Sequence, residues 1–527
     1  MSKYLLIPVP PTPNGRMHLG HMAGPYLRMD MLRRSLEQDG HEAELWTGTD
    51  SHDSFVLYRA HLSKSQPVDV CGKFHPLIEA DMRSLGIKVD GFVDTLAGEG
   101  RQLQETHACE SVEALKTLGL AEERSETILY DEAHRFPAVG TWLAGRCPEC
   151  QSPCVGYFCE GCFTHNQPAE LQETSSRMPG ARLVPRTVDS LFLVIPDSAT
   201  YLRRLDEMGV LPAAIDVVRK MLATPGRNFR LTVPIDWGLT YKADSHGHPR
   251  SIFEILWEVY TYSEMQAAKS AGLVPAWRAD SDIKVIVACG MDNTVPLLMG
   301  CVSVYSNLPQ AKPPEHIHIN YFVKLEGTKF STNRNHAIWA GDLANVCQGN
   351  ADGIRLHLAR ISPEGSSTNF DVAEFVRHYN EFYVDQLYCA AVSALSNLGG
   401  HVEACPDSAA AVAACRRRIG ATLSPRTLCI SEAVAVFEEW VAAGPPGRSK
   451  ASKAKSDYWW LKGVAVLGYA FAPELCGRIW KLLGHDGIPT VNEMLAVPAP
   501  AGAGHSLGSL PQRIGESDVK DLIDRPL

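Results

Sequence analysis

A short apolar run, Tyr4 to Val9, is cut off by Pro10, Pro11, Pro13 and Gly15, and a helical pattern starts near His18. Met22, Leu27 and Met31 fall on one face of that helix, and Glu42 to Thr47 supplies the next strand. Strand, loop, helix and strand in this order open a doubly wound α/β sheet, in which ligands sit beyond the carboxyl ends of the strands. Lys284 to Gly290, KVIVACG, is a further buried-strand candidate and runs into a Gly290-Met291-Asp292 turn.

Three motifs carry chemistry. His18-Leu19-Gly20-His21 places two imidazoles on the first turn of the helix, where they can donate to phosphate oxygens as negative charge builds on a leaving pyrophosphate. Gly20 between them leaves room for a nucleotide. Lys329-Phe330-Ser331-Thr332-Asn333, about 300 residues on, is a loop whose lysine can neutralise the same phosphates. Cys147, Cys150, Cys159 and Cys162 form two C-x₂-C knuckles, the spacing of a closed, structural zinc site. Cys154 and His165 are spare ligand candidates.

The histidine and lysine motifs, in this order, resemble the two signatures of class I aminoacyl-tRNA synthetases, and the cysteine knuckles resemble those of the methionyl-tRNA synthetase family. The resemblance covers most of residues 4–385. It implies a doubly wound, Rossmann-like catalytic domain with a zinc-bearing insert, followed by an α-helical C-terminal domain. The expected divisions are residues 1–96 and 232–370 for the two catalytic halves, 97–231 for the insert, 371–496 for the helical domain and 497–527 for a tail.

The resemblance also assigns roles. His18, His21 and Lys329 become catalytic, and Asn14, Gly20, Asp292 and Ser331 contact ATP. Asp50, in Thr47-Gly48-Thr49-Asp50-Ser51-His52, holds the substrate's α-ammonium. Thr12, Trp257, Asn293 and Leu297 line the side-chain pocket. Asp236-Trp237-Gly238 marks re-entry into the nucleotide fold. Mg²⁺ accompanies ATP, held mainly by phosphate and water.

Departures are equally informative. Thr12 stands where the family has a pocket tyrosine, and Val259 to Glu264 and Leu297 also replace family residues, which points to a side chain more polar than methionine's. Glu264 and Asn293 would make such a pocket polar. Thr332 replaces the second lysine of the loop, leaving Lys324 or Arg334 to compensate. On the helix that reads the anticodon, Cys389 and Ser393 take the places of an asparagine and an arginine. No Pro-Trp follows, since Trp440 precedes Val441 and Trp459-Trp460 follow a tyrosine. Such residues cannot supply the planar donors and stacking that unpaired bases require.

Beyond residue 371 the pattern is helical, with Phe375, Tyr379, Phe382, Tyr383 and Leu387 on one face. Residues 443–456 and 497–512 read as loops, the former holding the basic stretch Arg448 to Lys455. No apolar run is long enough for a membrane span, and the N-terminal run is too short for a signal peptide. The expected setting is the cytoplasm, where 15 cysteines stay reduced. At a net charge of −10, any contact with RNA must use a local patch.

The expected reaction is amino acid plus ATP giving aminoacyl-adenylate and pyrophosphate, then transfer to tRNA. Two alternatives stand beside it: a paralogue that passes the acyl group to a small amine or carrier, and a non-catalytic binding module.

Overall fold

The computed structural model describes residues 1–224, 226–270, 272–331, 336–398, 402–445, 450–498 and 506–523. The N-terminal apolar run forms β1, Lys3–Pro8. Among the described residues it is the middle strand of a five-stranded sheet. The others are β2 (Glu42–Thr49), β3 (Gly91–Asp94), β4 (Ile283–Gly290) and β5 (His316–Asn320). The order is β5–β4–β1–β2–β3 and every pair is parallel.

Both faces are covered, as a parallel sheet requires. Tyr4 and Leu6 of β1 point into one core, Leu5 and Ile7 into the other. Ile286 and Ala288 of β4 divide from Val285, Val287 and Cys289 in the same way, which is the period-2 alternation of a strand. Strand order reverses between β1 and β4, so the crevice beyond Pro8 and Gly290 is the topological switch point where such sheets bind ligands.

The segment after β1 is more broken than a single helix. His18 caps a three-residue turn, Leu19–His21; a π-helical turn, Met22–Tyr26, follows; only then does α1, Leu27–Gln38, run regularly. Pro25 has no N–H to give the helix, and Gly24 takes ψ −123° at the break. The result sets the histidine turn off from the axis of α1, against the cavity.

Between the sheet halves, Ala121–Asp131 and Leu183–Leu193 form a long antiparallel pair. Beside it Leu143–Arg146, Pro153–Val155 and Gln172–Ser176 make the small sheet that carries the cysteine knuckles.

Helices dominate after Asp371, and the expected aromatic face is buried in the same core as α1. Buried polar contacts lock the two together. Arg355 donates to Asp30 of α1 at 2.7 Å and to the Phe471 and Ala470 carbonyls, while Gln38 donates to the Val466 and Pro489 carbonyls. One expectation is corrected here. A helix, Lys450–Gly468, begins inside the stretch expected to be a loop. Lysine and alanine are good helix formers, and downstream Tyr458 to Leu461 bury completely against the core. Residues 446–449, with Arg448, lie outside the described residues, as do 499–505 of the expected C-terminal loop.

Among the described residues no helix is long and apolar enough to cross a membrane.

Candidate functional site

A cavity of about 560 Å³ opens at the switch point. Its wall brings together Thr12 and Asn14 after β1, the His18–His21 turn, Asp50 after β2, Asp292 and Asn293 after β4, Leu297, and Lys329 with Ser331.

The histidines form a rigid pair. The His21 N–H donates to His18 Nδ1 at 3.2 Å and the His18 N–H to His21 Nδ1 at 3.4 Å. The rings stack with centroids 3.6 Å apart. Burial, then His21, pushes His18 well below its usual range, and burial, then Lys329, lowers His21 to about 4. Both rings are therefore neutral near pH 7. Since Nδ1 of each accepts, each carries its proton on Nε2 as a donor.

The lysine loop is tied to this pair. Phe330 stacks on His18 at 4.8 Å, and the Leu19 N–H donates to the Ile338 carbonyl while the Ala340 N–H donates to the Met17 carbonyl. Gly20 permits the stacking, because a Cβ there would lie 3.0 Å from the Phe330 ring. Lys329 Nζ sits 2.6 Å from Glu160 of the second cysteine knuckle and over the Phe322 ring. Thr332 and Arg334 lie outside the described residues.

Sequence reasoning missed the residues that hold these groups in place. Asp81 takes two hydrogen bonds from Arg16 and one each from the Met17 and Gly341 N–H groups, so it anchors the loop before His18. Asp53 accepts from Thr12 Oγ1 at 2.8 Å. Asp50 is fixed by its N–H, which donates to the Pro11 carbonyl, while its buried Oδ1 has no partner among the described residues. Burial, then Asp53 and Glu258, holds its carboxyl well above the usual range.

The pocket wall differs from the expectation at two residues. Trp257 is fully buried with its Nε1 on the Phe253 carbonyl, and the cavity is lined instead by Glu254, Ile255, Leu256 and Glu258. Glu264 points away and accepts from Trp277 Nε1 at 2.7 Å. The physical reason is Leu256, at φ +68°: the left-handed residue turns the chain, so Glu258 rather than Trp257 faces the cavity.

The four cysteine sulfurs lie within 4.8 Å of one another. Cys147 and Cys162 are 3.6 Å apart, and Cys150 and Cys159 are 3.5 Å apart. Four sulfurs about 2.3 Å from one tetrahedral ion would be about 3.8 Å apart, so the set fits zinc. The two knuckles repeat one backbone design. Gln151 and Phe163, each after a second cysteine, are left-handed, and their N–H groups donate to the Cys147 and Cys159 carbonyls. Cys154 lies outside the set, its Sγ on the Phe158 carbonyl, and so does His165. The core beneath the knuckles is small, which makes the metal a main support. Metal analysis of purified protein is expected to give about one zinc per chain, and Cys150→Ser to lower that content and the unfolding temperature; iron in place of zinc would contradict the assignment.

On the helical domain, Cys389 is half-buried and Ser393 exposed, while Trp459 and Trp460 are buried and offer no stacking face.

The family model "tRNA synthetases class I (M)" matches residues 7–393. A methionine–tRNA ligase of Parabacteroides distasonis is 26% identical over 384 residues, 70% of this chain and 55% of that protein. One from a Roseiflexus species is 25% identical over 430 residues, 78% of this chain and 71% of its own length. The matched region thus spans little more than half the length of the Parabacteroides relative. A Mycobacterium tuberculosis methionyl-tRNA synthetase in complex with methionyl-adenylate superposes with a TM-score of 0.68 at 16% identity, covering 95% of this chain and 99% of that one. The motifs that meet at one switch-point cavity and the profile that spans them agree: the chain belongs to the class I tRNA synthetases of the M type.

Proposed function

We propose that the chain activates an amino acid with ATP and transfers it to the 3′ end of a tRNA. The observation that carries this reading is the convergence of two neutral Nε2–H donors, Lys329 and Asp50 on one cavity.

Asp50 takes the α-ammonium, which supplies the partner its buried oxygen lacks. The substrate carboxylate oxygen then attacks the α-phosphorus, a P–O bond forms, the bond to the β-phosphate breaks, and pyrophosphate leaves with the electron pair. Charge grows on the bridging oxygen, where His18 and His21 donate. Lys329 reaches the same phosphates by leaving Glu160, an exposed pair that holds it weakly. Asp292 and Asn14 line the nucleotide end, Gly20 gives it room, and Mg²⁺ bound to the phosphates would offset their charge. The four cysteines hold a structural zinc.

Transfer is tested by charging. Total tRNA incubated with the chain, ATP and labelled amino acids is expected to acquire acid-precipitable label, equally with a CAU or a scrambled anticodon on the accepted transcript, because Cys389 and Ser393 lack readout groups. Pyrophosphate release with no label on tRNA would show that the acceptor is something else.

A further inference from the structure

The amino-acid end of the cavity is acidic in a way the adenylation reaction does not need. One carboxylate, Asp50, suffices for an α-ammonium. Glu254 and Glu258 line the same wall. Glu258 is only 1% exposed: Oε1 accepts from Gln104 Nε2 at 2.7 Å, and the carboxyl lies close enough to Glu254 for the two to share a proton, with no basic side chain in hydrogen-bonding contact among the described residues. Glu254 Oε2 is also buried and lacks a hydrogen bond, with His52 Nδ1 3.9 Å away.

No cation is in contact with these carboxyls among the described residues lining the cavity. Among the described residues lining the cavity, lysine and arginine are represented by Arg16 and Lys329. Arg16 is bound to Asp81 and Asp342, and Lys329 to Glu160. His52 is lowered to about 4, chiefly by burial, and stays neutral. Burial, then Glu258 and Asp50, holds Glu254 well above the usual carboxylate range. The cluster therefore retains protons that an incoming cation would displace.

A thioether or alkyl side chain would add nothing to the contacts Glu258 already has with Gln104 and Glu254, whereas a distal ammonium would pair with the carboxylates left on deprotonation. We infer that the amino acid accepted here carries a second cation on its side chain, a diamino acid of the lysine or ornithine class. Asp50 takes the α-ammonium, and Glu258 with Glu254 takes the distal one. This rests on the proposed activation reaction for its catalytic consequence, but not for the binding itself.

The test pairs two readouts. ATP–pyrophosphate exchange is measured with lysine, ornithine, methionine, glutamine and norleucine, the last matching lysine without its amine. Binding of the same amino acids to the full chain is measured by calorimetry without ATP. The expected result is exchange with lysine or ornithine at a kcat/KM at least about 30-fold above methionine and norleucine. Glu258→Gln, whose amide can still accept from Gln104, should bring lysine and ornithine down to within a few-fold of norleucine measured with the same variant. Glu254→Gln should weaken it by a smaller factor. Exchange best with methionine, norleucine or glutamine would overturn the inference and leave activation standing. Binding of diamino acids with no exchange from any amino acid would uphold the inference and overturn activation. Neither binding nor exchange with a diamino acid would end the inference whatever the variants do.

Discussion

His21→Ala is expected to lower amino-acid-dependent ATP–pyrophosphate exchange by about 10²-fold or more, with little change in the amino acid's KM. The Nε2 proton acts on charge that develops only as pyrophosphate departs, so its loss falls on the transition state. The alanine keeps the His21 N–H to His18 hydrogen bond, which is made by the backbone, and loses only the longer one from the His18 N–H to His21 Nδ1, so the fold should persist. His18 does lose its stacking partner, and its Nδ1 keeps its acceptor role. Replacing His21 by glutamine, which keeps an N–H donor near the same place, should restore part of the rate. An alanine variant within a few-fold of the unaltered chain would mean that the stacked pair does not touch the reacting phosphates.

Asp50→Asn is expected to act on the other half of the reaction. Removing one member of a buried ion pair costs about 2–5 kcal/mol, which is roughly a 30- to 4,000-fold loss in kcat/KM, borne mainly by the amino acid's KM. The same change should not destabilise the fold. Burial, then Asp53 and Glu258, raises the Asp50 carboxyl well above its ordinary range. A carboxyl whose folded pKa exceeds its unfolded value binds protons preferentially in the folded state, so its contribution to stability falls as pH rises above the unfolded value. Near neutral pH the asparagine removes that liability. The variant should unfold at an equal or higher temperature while losing activity. A parallel fall in both would mark Asp50 as a structural residue.

How much of this was legible in the sequence depends on how local each signal is. The histidine turn, Asp50 and the cysteine knuckles are short motifs whose chemistry is written in adjacent residues. The histidine turn and Asp50 meet because β1 and β2 deliver them to one end of a parallel sheet, while the knuckles sit on a separate small sheet of the insert. The pocket wall is different. Residues 254–258 have no helical or strand period, so nothing in the sequence says which side faces the substrate. The left-handed Leu256 decides it, sending Trp257 to the core and Glu258 to the cavity. Acidic residues usually read as surface, which hid Glu254 and Glu258, and also Asp81, whose four hydrogen bonds come from residues far along the chain. The helix from Lys450 was missed because Lys453 and Lys455 are exposed and read as a charged loop, with burial beginning only at Asp457.

The helical domain illustrates a further limit. The sequence leads to the expectation of changed readout at Cys389 and Ser393, and the structure adds that Trp459 and Trp460 are spent on the core. Their indoles pack against helices joined to α1 through Arg355 and Asp30. That domain braces the catalytic half through these contacts, whatever RNA it meets.

The central claim is that this cavity joins an amino acid to AMP, and product analysis tests it most directly. The chain is incubated with ATP labelled at the α-phosphate and a mixture of the standard amino acids with ornithine, and the products are separated. The account predicts an amino-acid-dependent labelled mixed anhydride, which yields AMP and an amino-acid hydroxamate with hydroxylamine, and one pyrophosphate for each anhydride. Label appearing as ADP, or label left wholly in ATP with every amino acid present, would contradict it.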